Sequence, residues 1–183
     1  MPHPQESTKG PAPTPGVALL VQQHIPHRLV HYEITPPTGV EQHRGVRVAY
    51  GAAAAAELGI DPSTLFKTLL FTLEGAPPAV GSYAFAVIPS TSEASERTIA
   101  AELEAKRAVL ASVDDVRRVT GSVPGGVSPL SPKRQIPLLL DQSALSLDSI
   151  VVSAGRRGLS VALAPHDLLK ATGGRSAPLT HPR

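Results

Sequence analysis

Cysteine and tryptophan are absent from the 183 residues, and methionine occurs once. Without thiols there is no disulfide, no thiolate metal site and no cysteine nucleophile. Aromatic rings are nearly as scarce: Tyr32, Tyr50, Tyr83, Phe66, Phe71 and Phe85 are the whole set. So few rings argue against a sheet carpeted with stacking platforms, although one or two could still hold a single base. No apolar run is long enough to cross a membrane, and the first residues lack a charged-then-apolar signal pattern. A soluble, cytoplasmic protein with no membrane or DNA partner is expected. The net charge of +2 is too small for blanket nucleic-acid binding. Also missing are a G-x-x-x-x-G-K-[ST] phosphate loop and a G-x-S-x-G nucleophile elbow. No cofactor is called for.

What the chain does hold is charge in clusters. Four adjacent pairs, Lys106-Arg107, Arg117-Arg118, Lys133-Arg134 and Arg156-Arg157, account for 8 of the 17 Lys and Arg residues. Gathered round one groove they would suit a phosphodiester chain, whereas scattered they are ordinary solvated turns and helix faces. His24, His27 and His31 have a spacing that superficially suits a metal. They fall across a helix end, a turn and a strand, so surface histidines are expected and no metal site.

Composition and periodicity suggest one α+β domain, with a mixed, mostly antiparallel, barrel-like central sheet flanked by helices. Residues 1–13, rich in Pro, Ser and Gly, read as a disordered tail. The ordered domain spans 14–174, and 175–183 reads as a flexible tail. Thr14 and Pro15 signal a helix start, and 28–33 a short strand. A polar loop over 36–47 precedes an alanine-rich helix at 52–58, closed by Gly59. Strands at 67–73 and 83–88 predict a hairpin. Then come a helix at 96–106, a strand at 108–111 and a helix from the Ser112–Asp115 capping box to Thr120. Strands follow at 135–141, 149–153 and 159–163, the last two joined tightly through 155–158. A final helix starts at Pro165.

Two features carry chemistry. At period two, Lys67 shares a strand face with Leu69, Phe71 and Leu73, while Thr68 points the other way. An ammonium on that face loses water and needs an anionic or carbonyl partner; a snorkelling lysine is the plainer alternative. The second feature is the glycine and proline loop over 121–129, a bend where backbone N–H groups can approach an anion. Without other context it is equally an ordinary turn.

Taken in order, Leu58-Gly59-Ile60-Asp61-Pro62, Phe66-Lys67-Thr68-Leu69-Leu70, Gly125-Gly126-Val127-Ser128-Pro129-Leu130 and the run from Val152 to Leu159 resemble one known family. It is the YbaK/EbsC group, free-standing relatives of the editing domain inserted in bacterial prolyl-tRNA synthetases. The resemblance spans residues 14–174. It implies that family's editing-domain fold and cleavage of mischarged aminoacyl-tRNA, of the Cys-tRNA(Pro) type, with prolyl-tRNA synthetase a candidate partner. It implies catalytic roles for Lys67, Gly125 and Gly126, and a pocket of Tyr32, Tyr50, Thr68, Ser128, Pro129, Ser153, Gly155 and Ser160. Lys133, Arg134, Arg156 and Arg157 flank these motifs and are the candidate tRNA contacts.

Two departures stand out: the 36–47 loop is long, and Ser160 occupies a position expected to be acidic. Both weaken an assignment of cysteine as the amino acid removed. No general base accompanies Lys67, which leaves a substrate thiolate or an oriented water as attacking group. Two alternatives to an editing enzyme remain. One is a non-catalytic module that binds a tRNA end, a nucleotide or a synthetase through the same cleft. The other is a small-molecule esterase, for which no nucleophile signature exists.

Overall fold

The Thr14 hydroxyl accepts the Val17 N–H at 3.3 Å, and Pro15 has no N–H to leave unpaired. Helix α1 (Pro15–Gln22) therefore starts where the sequence predicts. The structure, a computed structural model, describes residues 13–31, 59–123, 125–130 and 135–180. The predicted 36–47 loop, the 52–58 helix and nearly all of the N-terminal tail lie outside the described residues.

Strand alternation organises the rest. In β2 (Phe66–Glu74), Phe66 and Leu70 point to one side, Phe71 and Leu73 to the other, and all four are buried. A strand covered on both faces belongs at the centre of a sheet. It pairs antiparallel with β3 (Tyr83–Pro89), with Lys67 opposite Ile88, and with β4 (Arg107–Leu110) on its other side. Parallel pairing adds β5 (Leu138–Asp141) and β8 (Arg175–Ala177), giving the order β4-β2-β3-β5-β8. A second, antiparallel sheet has the order β1-β7-β6, from β1 (Arg28–His31), β6 (Ile150–Arg156) and β7 (Leu159–Leu163).

The fold is thus α+β with mostly antiparallel pairing, as the sequence implies, but it is not closed into a barrel. Among the described residues, two open sheets meet at a parallel bridge, Leu65 with Val151. The parallel pairings β3–β5–β8 carry the later strands outward instead of back to β4. Helices α2 (Glu96–Glu102), α3 (Val113–Thr120) and α4 (Pro165–Thr172) flank the sheets. The main core joins α1, through Val17 and Leu20, to Phe66, Leu70, Phe85, Val152 and Val161. A second cluster packs Ile99 and Leu103 against Phe71, Leu73 and Ile88.

Several boundaries differ from expectation. The helix predicted over 96–106 stops at Glu102, because the chain turns through Leu103 and Glu104, the latter at φ 53°. The predicted 135–141 strand begins at Leu138, and the 149–153 strand runs on to Arg156 through a register shift. Where the sequence reads as a flexible tail, Arg175–Ala177 is strand β8, and Leu179 is wholly buried in the second cluster.

Candidate functional site

Lys67 interrupts an apolar face. On its side of β2, Leu69, Phe71 and Leu73 belong to the cluster under α2. On the other flank Leu65 packs with Val30, Val151, Ala162 and Ile60. Lys67, half-buried, falls between the two groups, and its ammonium donates to the Ser90 carbonyl at 3.1 Å. The carbonyl partner that burial demands is present.

The isolated Leu65–Val151 bridge brings the start of β2 to β6. Two residues further along both parallel segments come Lys67 and Ser153, on that same face. Ser153 is paired across to Ser160, which is in turn paired to Val30 of β1. Ser160 is buried, at 5% exposed, and among the described residues this largely apolar face carries two cations, Lys67 and, opposite Ala162, Arg28, with two hydroxyl residues between them. Thr68 is elsewhere: it shares the opposite face with Phe66 and Leu70, and its hydroxyl is buried with no hydrogen-bond partner. Lys67 and Thr68, adjacent in sequence, therefore address different sides of the sheet.

The glycine loop is held by its apolar residues. Val127 and Leu130 are buried in the main core, Pro129 is buried beside them, and the Ser128 hydroxyl accepts the Leu130 N–H at 3.1 Å. Helix α1 presses on it so closely that a Cβ on Gly16 would come 2.9 Å from Leu130 Cβ. Gly125 sits at φ +90° with open space around it, so backbone conformation, not crowding, calls for glycine there. At the end of β6, Gly155 has φ +93°, and a Cβ built on it would lie 3.6 Å from Ser128 Cβ. A Cβ on buried Gly126 would lie 3.6 Å from the Arg157 backbone nitrogen.

The loop thus docks on the β6–β7 turn. Ser153 hands this arrangement back to Lys67: its hydroxyl accepts the Gly155 N–H at 3.5 Å. Lys67 to Ser153 to Gly155 to Ser128 is a path of roughly 15 Å by strand spacing and rise. Arg156 and Arg157 are exposed at this same corner. Tyr32, Tyr50, Lys133 and Arg134 lie outside the described residues. Neither the α1 contact nor Ser90 is signalled by any local pattern, because both depend on residues far apart in the chain.

Chemically, the described part of this face offers two cations and hydroxyl groups, with the glycine bend docked at the end of β6. Strands β6 and β7 carry no histidine or carboxylate, and the single carboxylate of β2, Glu74, lies at its far end on the opposite face. Among the described residues, no three His, Cys, Asp or Glu side chains gather into a metal site. Nor is any described helix long and apolar enough to cross a membrane.

Comparison with known proteins bears on this surface. The family model described as "Aminoacyl-tRNA editing domain" matches residues 46–171. A protein of Enterococcus faecalis (strain ATCC 700802 / V583), whose name marks it as a candidate Cys-tRNA(Pro)/Cys-tRNA(Cys) deacylase, EbsC, is 34% identical over 128 residues, 70% of this chain and 75% of the relative. Among solved structures, a candidate trans-editing enzyme for prolyl tRNA synthetase aligns with a TM-score of 0.71 at 19% identity, over 90% of this chain and 94% of that one. A hypothetical protein, APE2540, aligns at 0.70 and 25% identity, over 90% and 97% of the two chains.

Proposed function

The chain belongs to the aminoacyl-tRNA editing domain family, and we propose that it is a trans-acting deacylase of mischarged tRNA. Cysteine on tRNA(Pro) is the first substrate to test, because the E. faecalis relative carries that name. One observation carries the reading: a half-buried lysine, its ammonium on the Ser90 carbonyl, interrupts an apolar face beside the bridge that joins β2 to β6.

In this reading the Lys67 ammonium exchanges the Ser90 carbonyl for an oxygen of the substrate and opposes the charge that grows on it. N–H groups of the Gly125–Gly126 bend supply further donors, and Arg156 and Arg157 meet phosphates. An aminoacyl ester is already activated, so positioning and charge stabilisation suffice without a dedicated base. With a cysteinyl substrate, its thiolate attacks its own ester carbonyl. A C–S bond forms, the C–O bond breaks, and the ribose oxygen leaves and takes a proton from water. With an inert side chain, a bound water attacks instead, and the free amino acid is released.

Lys67→Ala is expected to slow deacylation of Cys-tRNA(Pro) on the order of a hundredfold, the typical loss for one oxyanion donor. Unchanged turnover in a folded variant removes Lys67 from the mechanism. A second reading, binding without cleavage, draws on the absence of a histidine or carboxylate from β6 and β7. Saturable tRNA binding with no loss of charge from Cys-, Ala- or Ser-tRNA(Pro) would establish it.

A further inference from the structure

A groove of about 390 Å³ lies between α2 and the chain entering β4. Its floor is alanine, and its rim carries Arg97, Lys106, Arg107 and Glu96. Of the carboxylates nearby, Glu96 accepts the Leu110 N–H at 3.4 Å, and Glu74 lies 3.9 Å from Arg107. Among the described residues, Arg97 and Lys106 form no ion pair. The Lys106 stem crosses the Gly75 turn so closely that a Cβ there would come 2.8 Å from its Cγ and Cδ.

The groove stands over the face of the sheet that carries Lys67. Leu69, Phe71 and Leu73 alternate onto this face, and α2 packs there through Ile99 and Leu103. Lys67 and Glu74 are seven steps apart along β2, about 23 Å at roughly 3.3 Å per residue. We propose that this groove is a second anchoring site for the RNA, taking backbone phosphates of the tRNA body while the acylated end lies at Lys67. The proposal rests on the deacylase reading and deepens it. Cations strung along a groove match a repeating anion, and an alanine floor lets a backbone approach closely while offering no deep pocket for a peptide anchor. Contacts of this kind fix orientation without reading sequence.

The test is the double variant Arg97→Gln with Lys106→Gln, both at exposed positions, in the full chain. Binding of uncharged tRNA across a salt titration is expected to weaken, with the slope of log K against log salt reduced by about two. For charged tRNA, KM rises and kcat holds, while deacylation of a short 3′-aminoacyl oligonucleotide is unaffected. Unchanged affinity and slope for uncharged tRNA overturn the proposal. So does retained RNA affinity with loss of polyglutamate binding, which would assign the groove to an acidic peptide. A wild-type chain that shows the salt-dependent groove binding yet deacylates no charged tRNA supports the groove and sinks the deacylase reading, so the two fail separately.

Discussion

Thr68 shows how one residue can be read correctly for position and still surprise in its environment. Period-two alternation sets it opposite Lys67, and the structure has it so, on the main-core side with Phe66 and Leu70. What alternation does not convey is that its hydroxyl would be buried without a partner. Burial without a hydrogen bond forfeits the solvation of that group. Thr68→Val keeps nearly the same shape and removes the orphan, so it is expected to raise the unfolding free energy by about 1 kcal/mol in urea titration. A fall in stability would mean that the hydroxyl has a partner after all, a substrate-side one being excluded if KM is unchanged. Gly125 makes the complementary case. It has room for a methyl group yet sits at φ +90°, so Gly125→Ala is expected to cost about 1–2 kcal/mol through the backbone alone. Equal stability of the variant in the same titration would show the loop free to adopt another conformation.

At the scale of the element, α3 was the most readable part of the chain. Ser112 and Asp115 announce its start and Gly121 its end, and both caps form, with Ser112 accepting the Asp115 N–H at 3.1 Å and Gly121 left-handed. Local hydrogen bonds three or four residues apart are what a sequence records best. The tie from this helix to the sheet was not readable, because it joins residues 35 apart: Arg118 donates to Tyr83 Oη at 2.6 Å and lies over its ring, and the same guanidinium bonds Asp115. That bond from Arg118, helped by the Ser112 hydroxyl, holds the Asp115 carboxyl below its ordinary value. A carboxylate whose pKa is lowered by folding stabilises the fold at pH above its unfolded value, about 3.9, and the gain is lost as pH falls through the lower folded value. Asp115→Asn should therefore flatten the acid limb of a Tm-against-pH curve below about pH 4. A variant whose acid limb matches wild type would show the clamp to be energetically silent, as exposed pairs often are.

Across the whole molecule, local and pairwise signals found the hairpin, the α+β class and the polar interruption at Lys67, while the closure of the chain on itself escaped them. The reason is Asp141. At the end of an apolar strand it reads as a boundary residue, yet it is 2% exposed, and its two oxygens accept the N–H groups of Leu179 and Thr180 at 2.9 and 3.1 Å and that of Ser143 at 3.0 Å. These bonds draw the C-terminal segment in, so that β8 pairs with β5 and Leu179 fills the cluster under α2. Three strand residues carry no periodicity to detect, and the carboxylate that draws the segment in lies 38 positions upstream of Leu179. Removing that acceptor orphans several buried donors at once, and Asp141→Ala is expected to cost about 3 kcal/mol. Truncation after Gly174 tests the larger claim. It removes β8 and Leu179 together, and burial of such a leucine alone is worth about 2–5 kcal/mol against alanine. The cluster so opened shares its sheet face with Lys67, so deacylation should fall along with stability, and the β5 amides should lose their hydrogen-exchange protection. If the truncated chain keeps both its protection and its unfolding midpoint, the C-terminal segment is an appendage and the face bearing Lys67 is supported by α2 alone.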